Sequence, residues 1–326
     1  MRYIRQEIFR EIGKKGQKKL GKSTVAIVGL GALGSNSAEL LARAGIGQLI
    51  LIDRDVVELS NLQRQSLFDE NDVGKPKALA AKEHLNKINS EIKIDFFIDD
   101  LNFENINKLL ENKTDLILDC TDNLETRFLI NDFCIKNSIP FIYSSAVGSK
   151  GYVFDIFPGK TPCLRCFLKE ARALDTCETA GVLNTITNLV SSIQANEAIK
   201  ILLKKDYEKY LLFFDVWKND LLKIKVNKNK NCICCAKNYF EYLTGKKSSK
   251  AIKLCGDNIY QIKTKSINKN QFNELKNRLK KIGKITDYGY CINFYNKITI
   301  FNDGRALIKA KDEKEAKSLY SKFVGN

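Results

Sequence analysis

The chain has one histidine, His84, in 326 residues. That excludes a histidine-rich metal centre, and a histidine-dependent triad would have to be built on that residue alone. Long apolar runs are missing too. No uninterrupted stretch reaches the roughly 18 residues that a membrane span needs, which excludes a helical membrane protein. The first residues, Met1-Arg2-Tyr3-Ile4-Arg5-Gln6-Glu7, are charged and lack an apolar h-region. No secretory signal is read there, and a cytoplasmic location is expected. Internal repeats and low-complexity tracts are absent as well.

What is present is an ordinary globular balance, 44% apolar and 28% charged, which excludes a mostly disordered chain. The length suggests about two domains. Ten cysteines would suggest disulfides in a short secreted protein. In a cytosolic chain of this length they read as metal ligands or a reactive thiol. The net charge is +16, and it is lopsided: Lys246 to Asn326 carries 19 lysines and arginines against seven acids. Such a segment suits nucleic acid, an acidic protein partner, or simply a lysine-rich solvated surface. It holds no RNA- or DNA-binding motif, so nucleic acid is not an expected partner.

The patterning alternates strand and helix. Apolar runs at Ser23–Val28, Gln48–Ile52, Asp115–Asp119 and Pro140–Ser144, with Ile92–Ile98 alternating, read as strands. Ala38–Ala44, Lys77–Asn89, Glu125–Asn137 and Thr185–Leu203 read as helices, and Gly151–Phe157 and Leu211–Val216 as later strands. This predicts a Rossmann-like, mostly parallel sheet with flanking helices over residues 1–245. The polar stretch Tyr242–Lys250 marks a break. Residues 250–326 then predict a small basic α+β domain, with strands near 258–262, 290–294, 297–301 and 306–309. Its helices are predicted at 268–281 and 312–323, with a hairpin turn at Asn302-Asp303-Gly304.

Gly29-Leu30-Gly31-Ala32-Leu33-Gly34 is a GxGxxG placed after a strand and before a helix. Its glycines allow a tight turn and close approach to a phosphate, which the helix N-terminus favours. Asp53 follows the last glycine by 19 residues at a strand end and suits ribose hydroxyls. NAD, FAD and ATP all remain open at this point. Arg64 and Lys77 narrow the choice, because two cations aimed at one phosphate chain stabilise charge developing at phosphorus, which hydride transfer does not require. Asp119-Cys120-Thr121-Asp122-Asn123 ends a strand at the rim where such sheets bind ligands. Asp122 there suits Mg²⁺. Read without function, Arg64 would pair with Asp69 and Asp122 would cap the next helix.

The order Arg2-Tyr3-x-Arg5-Gln6, GxGxxG, Asp53-x-Asp55, Ser60-Asn61-Leu62-x-Arg64-Gln65, Lys77 and Asp119-Cys120-Thr121-Asp122-Asn123 resembles the ubiquitin-activating-type ThiF/MoeB/HesA family over roughly Arg2 to Ala236. The resemblance implies a homodimeric adenylyltransferase. Such an enzyme uses ATP and Mg²⁺ to activate the C-terminal Gly-Gly of a small ubiquitin-fold carrier protein, and a sulfur donor protein is a possible further partner. Thiamine, molybdopterin and tRNA-thiolation pathways are all open. The resemblance places Gly29, Gly31, Ala32, Gly34, Asp53, Asp55, Ser60, Asn61, Arg64, Lys77, Asp122 and Asn123 around the nucleotide. It makes Arg5 an arginine finger reaching across the dimer. Alternative readings are an activating enzyme for protein conjugation or peptide modification, and an NAD-dependent oxidoreductase or nucleotide-sensing protein.

Cys163-x-x-Cys166 and Cys232-x-x-Cys235 are two knuckles that together complete a tetrahedral four-thiolate Zn²⁺ site. The family commonly carries this zinc. Cys234, inside the second knuckle, leaves the ligand choice open. Cys177, polar-flanked and outside both pairs, suits covalent transfer of an acyl group or sulfur, and in the family that position is reactive in some members only. Cys120, Cys134, Cys255 and Cys291 read as packing residues. The chain ends Val324-Gly325-Asn326, so it is not read as fused to its own carrier. Carrier docking is the role expected of the C-terminal segment.

Overall fold

Thr24–Val28 is a short apolar run with four buried residues, suited to a strand covered on both faces. In the computed structural model it lies within an eight-stranded sheet. The structure describes residues 2–111, 113–168, 180–247, 259–262, 267–295 and 297–325. Along the chain, α1 (Ile4–Ile8) and α2 (Gly13–Leu20) precede β1 (Thr24–Val28). There follow α3 (Ala32–Ala44), β2 (Gln48–Ile52), α4 (Lys77–Ile88), β3 (Lys93–Phe97), α5 (Ile106–Leu110), β4 (Leu116–Asp119), α6 (Leu124–Asn137) and β5 (Phe141–Val147). Then come β6 (Lys150–Ile156), α7 (Leu164–Phe167), α8 (Asn184–Leu202), β7 (Leu211–Asp215) and β8 (Asp220–Ile224).

The strand order is β3-β2-β1-β4-β5-β6-β7-β8. The first five strands pair in parallel. From β5 onward the pairing is antiparallel. The change has a local cause: only Gly148 and Ser149 separate β5 from β6, and a two-residue turn can only return the chain antiparallel. Helix α8 lies directly on this part of the sheet. A Cβ at Gly151 would sit 2.3 Å from Val190 Cγ2, so glycine sets how closely α8 approaches. Gln194 of α8 is fully buried, and its side chain bonds Ser37 Oγ, Cys120 Sγ and the carbonyls of Asp119 and Ile142. One amide thereby satisfies polar groups from α3, the β4 end and β5.

The chain divides into two compact units. The first comprises Met1–Arg54, Glu58–Asp72 and Lys77–Ser248, and the second Asp55–Val57, Val73–Pro76 and Ser249–Asn326. In the second, β9 (Ile259–Ile262), α9 (Lys269–Ile282), β10 (Ile285–Asp287), β11 (Cys291–Phe294), β12 (Ile298–Phe301), β13 (Ala306–Lys309) and α10 (Glu313–Phe323) follow in order. The five strands form an antiparallel sheet, β10-β11-β12-β13-β9. Phe272, Leu275 and Leu279 of α9 and Ala316 and Tyr320 of α10 bury against Ile292, Phe294, Ile298, Ile300 and Ile308. The expected hairpin is present: Phe301 N–H donates to Arg305 O at 2.8 Å, and Gly304 takes φ +87° in the turn. Among the described residues no helix is long and apolar enough to cross a membrane.

One buried charge cluster sets a pH dependence. Asp155 on β6 lies beside Glu197 of α8, and both are buried. Burial, then the neighbouring Glu197 carboxylate, push the Asp155 carboxyl up to about 9. The Glu208 amide donates to Asp155 Oδ2 at 3.2 Å, and Lys200 holds Glu197 at 2.8 Å. A folded-state pKa raised from 3.8 means stability that is full below pH 3.8 and lost as pH rises through about 9. Asp155→Asn keeps the acceptor for Glu208 and supplies a donor toward Glu197 without a titrating proton. The variant is expected to gain roughly 1–3 kcal/mol over the wild type at pH 8, a few degrees in Tm, and little at pH 4. Thermal melts at both pH values check this, and an unchanged difference between them would refute it.

Candidate active site and cysteine cluster

The ends of β1, β2 and β4 lie side by side, with Val28 in register with Ile52 and with Asp119. The chain leaves β1 toward β2 on one side and reaches β4 on the other, so β1 and β4 flank the topological switch point where such sheets bind ligands. Gly29 occupies this point at φ +86°, where a Cβ would lie 2.8 Å from Cys120 O. At Gly34 a Cβ would lie 1.8 Å from Gly29 O. Only glycine lets α3 start so close to the strand it follows. Gly31, in contrast, has open space: its nearest neighbour would be Gln65 Nε2 at 3.9 Å. The turn therefore offers room beside the N-terminus of α3, where an anion is favoured.

Asp53, at the end of β2, accepts from Leu30 N–H at 2.6 Å and so fixes the glycine turn. At the end of β4, Asp119 is fully buried. Its Oδ1 accepts from Thr121 N–H and Thr121 Oγ1, at 3.1 and 2.7 Å, while Oδ2 has no hydrogen-bond partner among the described residues. Burial pushes this carboxyl upward, and the Arg127 charge pulls it back. Arg127, buried in α6, donates to the Thr121 carbonyl and lies 4.8 Å from the Tyr143 ring centroid. Asn123 Oδ1 accepts from Thr126 N–H at 2.8 Å and caps α6. The alternative in which Asp122 is the cap is thus excluded. Thr121 and Asn123 are both restrained, and Asp122 between them is exposed.

The same division holds elsewhere. Asn61 Oδ1 accepts from Glu58 N–H at 3.2 Å, closing a capping box, while Ser60 is exposed. Arg64 does not pair with Asp69 here: it donates to Ser60 O at 2.9 Å. Lys77, buried, is the first residue of α4. On α1, Gln6 Nε2 donates to Ala44 O at 2.9 Å, and just before the helix Tyr3 Oη accepts from Asn89 Nδ2 at 2.8 Å. Arg5 between them is exposed. Asp55 opens the short segment Asp55–Val57. His84 pairs with Asp72 at 2.6 Å, a structural use of the single histidine. Cys177 lies outside the described residues. Cys120 is buried, and burial pushes its thiol up to about 12, as expected of a packing residue.

Two residues emerge only from the structure. Gln65 is buried, and its Oε1 has no hydrogen-bond partner among the described residues, close to the open side of Gly31. Arg127 supports the Asp122 loop. The sequence signal for Gln65 is its place directly after Arg64. For Arg127 it is a charge inside a helix whose other residues are largely buried.

Cys163, Cys166, Cys232 and Cys235 come together with all four sulfurs mutually within 4.8 Å. The Cys163–Cys166, Cys163–Cys232 and Cys166–Cys235 sulfurs are 3.9, 3.6 and 3.5 Å apart. Tetrahedral Zn–S bonds of about 2.3 Å place sulfurs about 3.8 Å apart, so the set fits Zn²⁺. Cys234 is not in the set: Asn131 Nδ2 donates to its sulfur at 3.3 Å, and Asn131 Oδ1 holds Leu164 N–H at 2.9 Å. Burial, then Cys166, push the Cys235 thiol up to about 11, so its thiolate needs a cation beside it. The purified protein is expected to carry about one zinc per chain. Cys163→Ser should lose it together with thermal stability, and Cys234→Ser should keep it. Metal analysis of the three proteins checks this, and full zinc in Cys163→Ser would reject the site.

The model of the ThiF family matches residues 3–235. The chain is 40% identical over 335 aligned positions to the sulfur carrier protein ThiS adenylyltransferase of Bacillus subtilis, covering 99% of both chains. It is 35% identical to the SAMP-activating enzyme E1 of Haloferax volcanii over 72% of this chain and 88% of that one. Among solved structures, Escherichia coli MccB with ATP superposes at a TM-score of 0.65 with 26% identity, covering 73% of this chain and 75% of that one.

Proposed function

The chain belongs to the ThiF family, and from that membership and the strand-end site we propose that it adenylates the C-terminus of a small ubiquitin-fold sulfur carrier. It is an ATP-using adenylyltransferase. The carrier carboxylate attacks the α-phosphorus of ATP, a new C–O–P bond forms, the bond to the β-phosphate breaks, and pyrophosphate leaves. The observation that carries this reading is the open face of Gly31 at the switch point, flanked by the restrained loop that presents Asp122. The end-to-end relation to a ThiS adenylyltransferase favours a ThiS-type carrier over a conjugated modifier.

In this reading the glycine turn and the start of α3 receive phosphate, and Asp53 and Asp55 address the ribose. Ser60, Asn61, Arg64 and Lys77 line the phosphate path. Gln65 joins them through its Nε2, a hydrogen-bond donor that is the neighbour of the open side of Gly31. Asp122 would hold Mg²⁺, which supplies charge neutralisation at the phosphates. Asn123 acts through its cap, by keeping Asp122 in place. Zn²⁺ in the cysteine cluster would be structural, because four protein ligands leave no open position. The edge strand β8 leaves Leu221, Leu222 and Ile224 exposed, beside exposed Trp217, an apolar edge suited to a carrier domain.

Arg5 projects from a helix held by its neighbours, which supports a homodimer in which each Arg5 serves the other protomer's site. Arg64→Ala and Arg5→Ala are each expected to lower carrier-dependent ATP–pyrophosphate exchange by about 10²–10³-fold with the fold retained. Mixing the two inactive variants should restore about a quarter of wild-type activity through sites with both arginines intact. No recovery in the mixture would place Arg5 in its own protomer's site, and wild-type exchange in Arg5→Ala alone would place it outside catalysis.

Cys177 is the proposed acceptor in the step after adenylation. Cys177→Ala should leave exchange intact and slow thiocarboxylate formation in a reaction reconstituted with carrier and sulfur donor. Unchanged thiocarboxylate formation would make it a bystander.

A further inference from the structure

The segment that carries Ser60, Asn61 and Arg64 is a loop with a closed neck. Val57 N–H donates to Lys75 O at 2.8 Å, and Gly74 N–H donates to Val57 O at 2.8 Å. Val56 pairs antiparallel with Pro76. Residues 55–57 and 73–76 therefore form a small clasp. It closes the loop Glu58–Asp72, and Lys77 follows it directly as the first residue of α4. Both strands of the clasp belong to the second compact unit.

Within that unit the clasp has a neighbour. Tyr288, between β10 and β11, donates its hydroxyl to Val73 O at 3.5 Å. Gly74 takes φ +87°, and a Cβ there would lie 3.2 Å from Tyr288 Oη and 3.7 Å from Asn293 Nδ2. The tyrosine is itself held in place. Its N–H donates to Cys291 O at 2.9 Å, and Gly289 N–H donates to Asp287 Oδ1 at 2.9 Å. Lys276 of α9 grips Asp287 at 2.8 Å. The turn bearing Tyr288 is thus anchored to the helix behind its sheet. Fixing the neck of a loop reduces the conformational freedom of everything the loop carries.

We propose that the second unit positions the nucleotide loop: Tyr288, packed on Gly74, holds the clasp and thereby sets how well residues 58–77 receive ATP. Tyr288 and Gly74 are positioning residues and touch no substrate. The inference rests on the reading of Arg64 and Lys77 as ATP-site residues.

The test uses the full chain with its carrier in ATP–pyrophosphate exchange, and amide hydrogen exchange without substrates. Tyr288→Phe removes one hydroxyl and leaves the ring. It should raise the KM for ATP about threefold, with kcat, the carrier KM and thermal unfolding unchanged, and speed amide exchange across residues 55–77. Gly74→Ala should raise the ATP KM about tenfold, since its Cβ meets both the backbone restriction and the hydroxyl. The double variant should fall below the product of the two, because removing the hydroxyl relieves that contact. An unchanged ATP KM in Tyr288→Phe, or a change in the carrier KM instead, overturns the proposal. Lys77→Ala separates the two readings. Retained exchange in that variant would overturn the ATP-site assignment, while the amide-exchange comparison would still decide whether Tyr288 holds the clasp.

Discussion

The contact on which the rest of the site depends is the approach of α3 to the end of β1. With Gly29 O only 1.8 Å from where a Cβ of residue 34 would stand, any other residue there would push the helix off the strand. The turn would then open, Leu30 N–H would leave Asp53, and the helix N-terminus would no longer face the gap beside Gly31. Two glycines thus bring the N-terminus of α3 to the strand end, where an anion is favoured. The parallel register of β1 with β2 and β4 then delivers Asp53 and the Asp119–Asn123 loop to the same edge.

The motif residues split into those that hold and those that are presented. Tyr3 and Gln6 hold α1, and Arg5 is presented. Thr121 and Asn123 are tied down, and Asp122 is presented. Asn61 closes a capping box, and Ser60 stays exposed beside it. The physical reason is preorganisation: a charged group aimed by restrained neighbours needs little reordering when a phosphate arrives. Motifs of this kind are long because each presented residue brings its restraints with it.

The sequence made much of this legible. The β1–α3–β2 unit, the glycine turn and the cysteine set follow from apolar runs, spacing and residue chemistry that act locally. What was not legible depends on neighbours remote in sequence. Strand β8 has every residue exposed, so it has no buried face to betray it. Helix α2 is Gly-Lys-Lys-Gly-Gln-Lys-Lys-Leu, with two glycines that argue against a helix and only Gln17 and Leu20 buried. Arg127 and Gln194 look like surface residues by type, yet both are buried because carbonyls and a carboxylate surround them. The clasp at 55–57 and 73–76 is two short backbone bonds and a bridge, which no side-chain pattern announces. The choice between Cys234 and its neighbours also needed coordinates, since spacing alone gave both.

Helix α6 links the two chemistries of the first unit. Its N-terminus is capped by Asn123, next to the exposed Asp122. Two turns later Asn131 bonds both Leu164 N–H and Cys234 Sγ, so the same helix carries the cysteine knuckles on its buried side. Asp132 adds a third tie by accepting Tyr242 N–H at 3.0 Å. A metal joining Cys163 and Cys166 to Cys232 and Cys235 would cross-link segments about 66 residues apart, with α8 and β7 in the enclosed loop. Such a cross-link stabilises chiefly by restricting the unfolded chain, yet its native-state effect is directional. It would pin the segments that grip α6, and α6 in turn carries the cap of the loop at the end of β4. A cluster with no open coordination position can therefore matter to catalysis without touching a substrate.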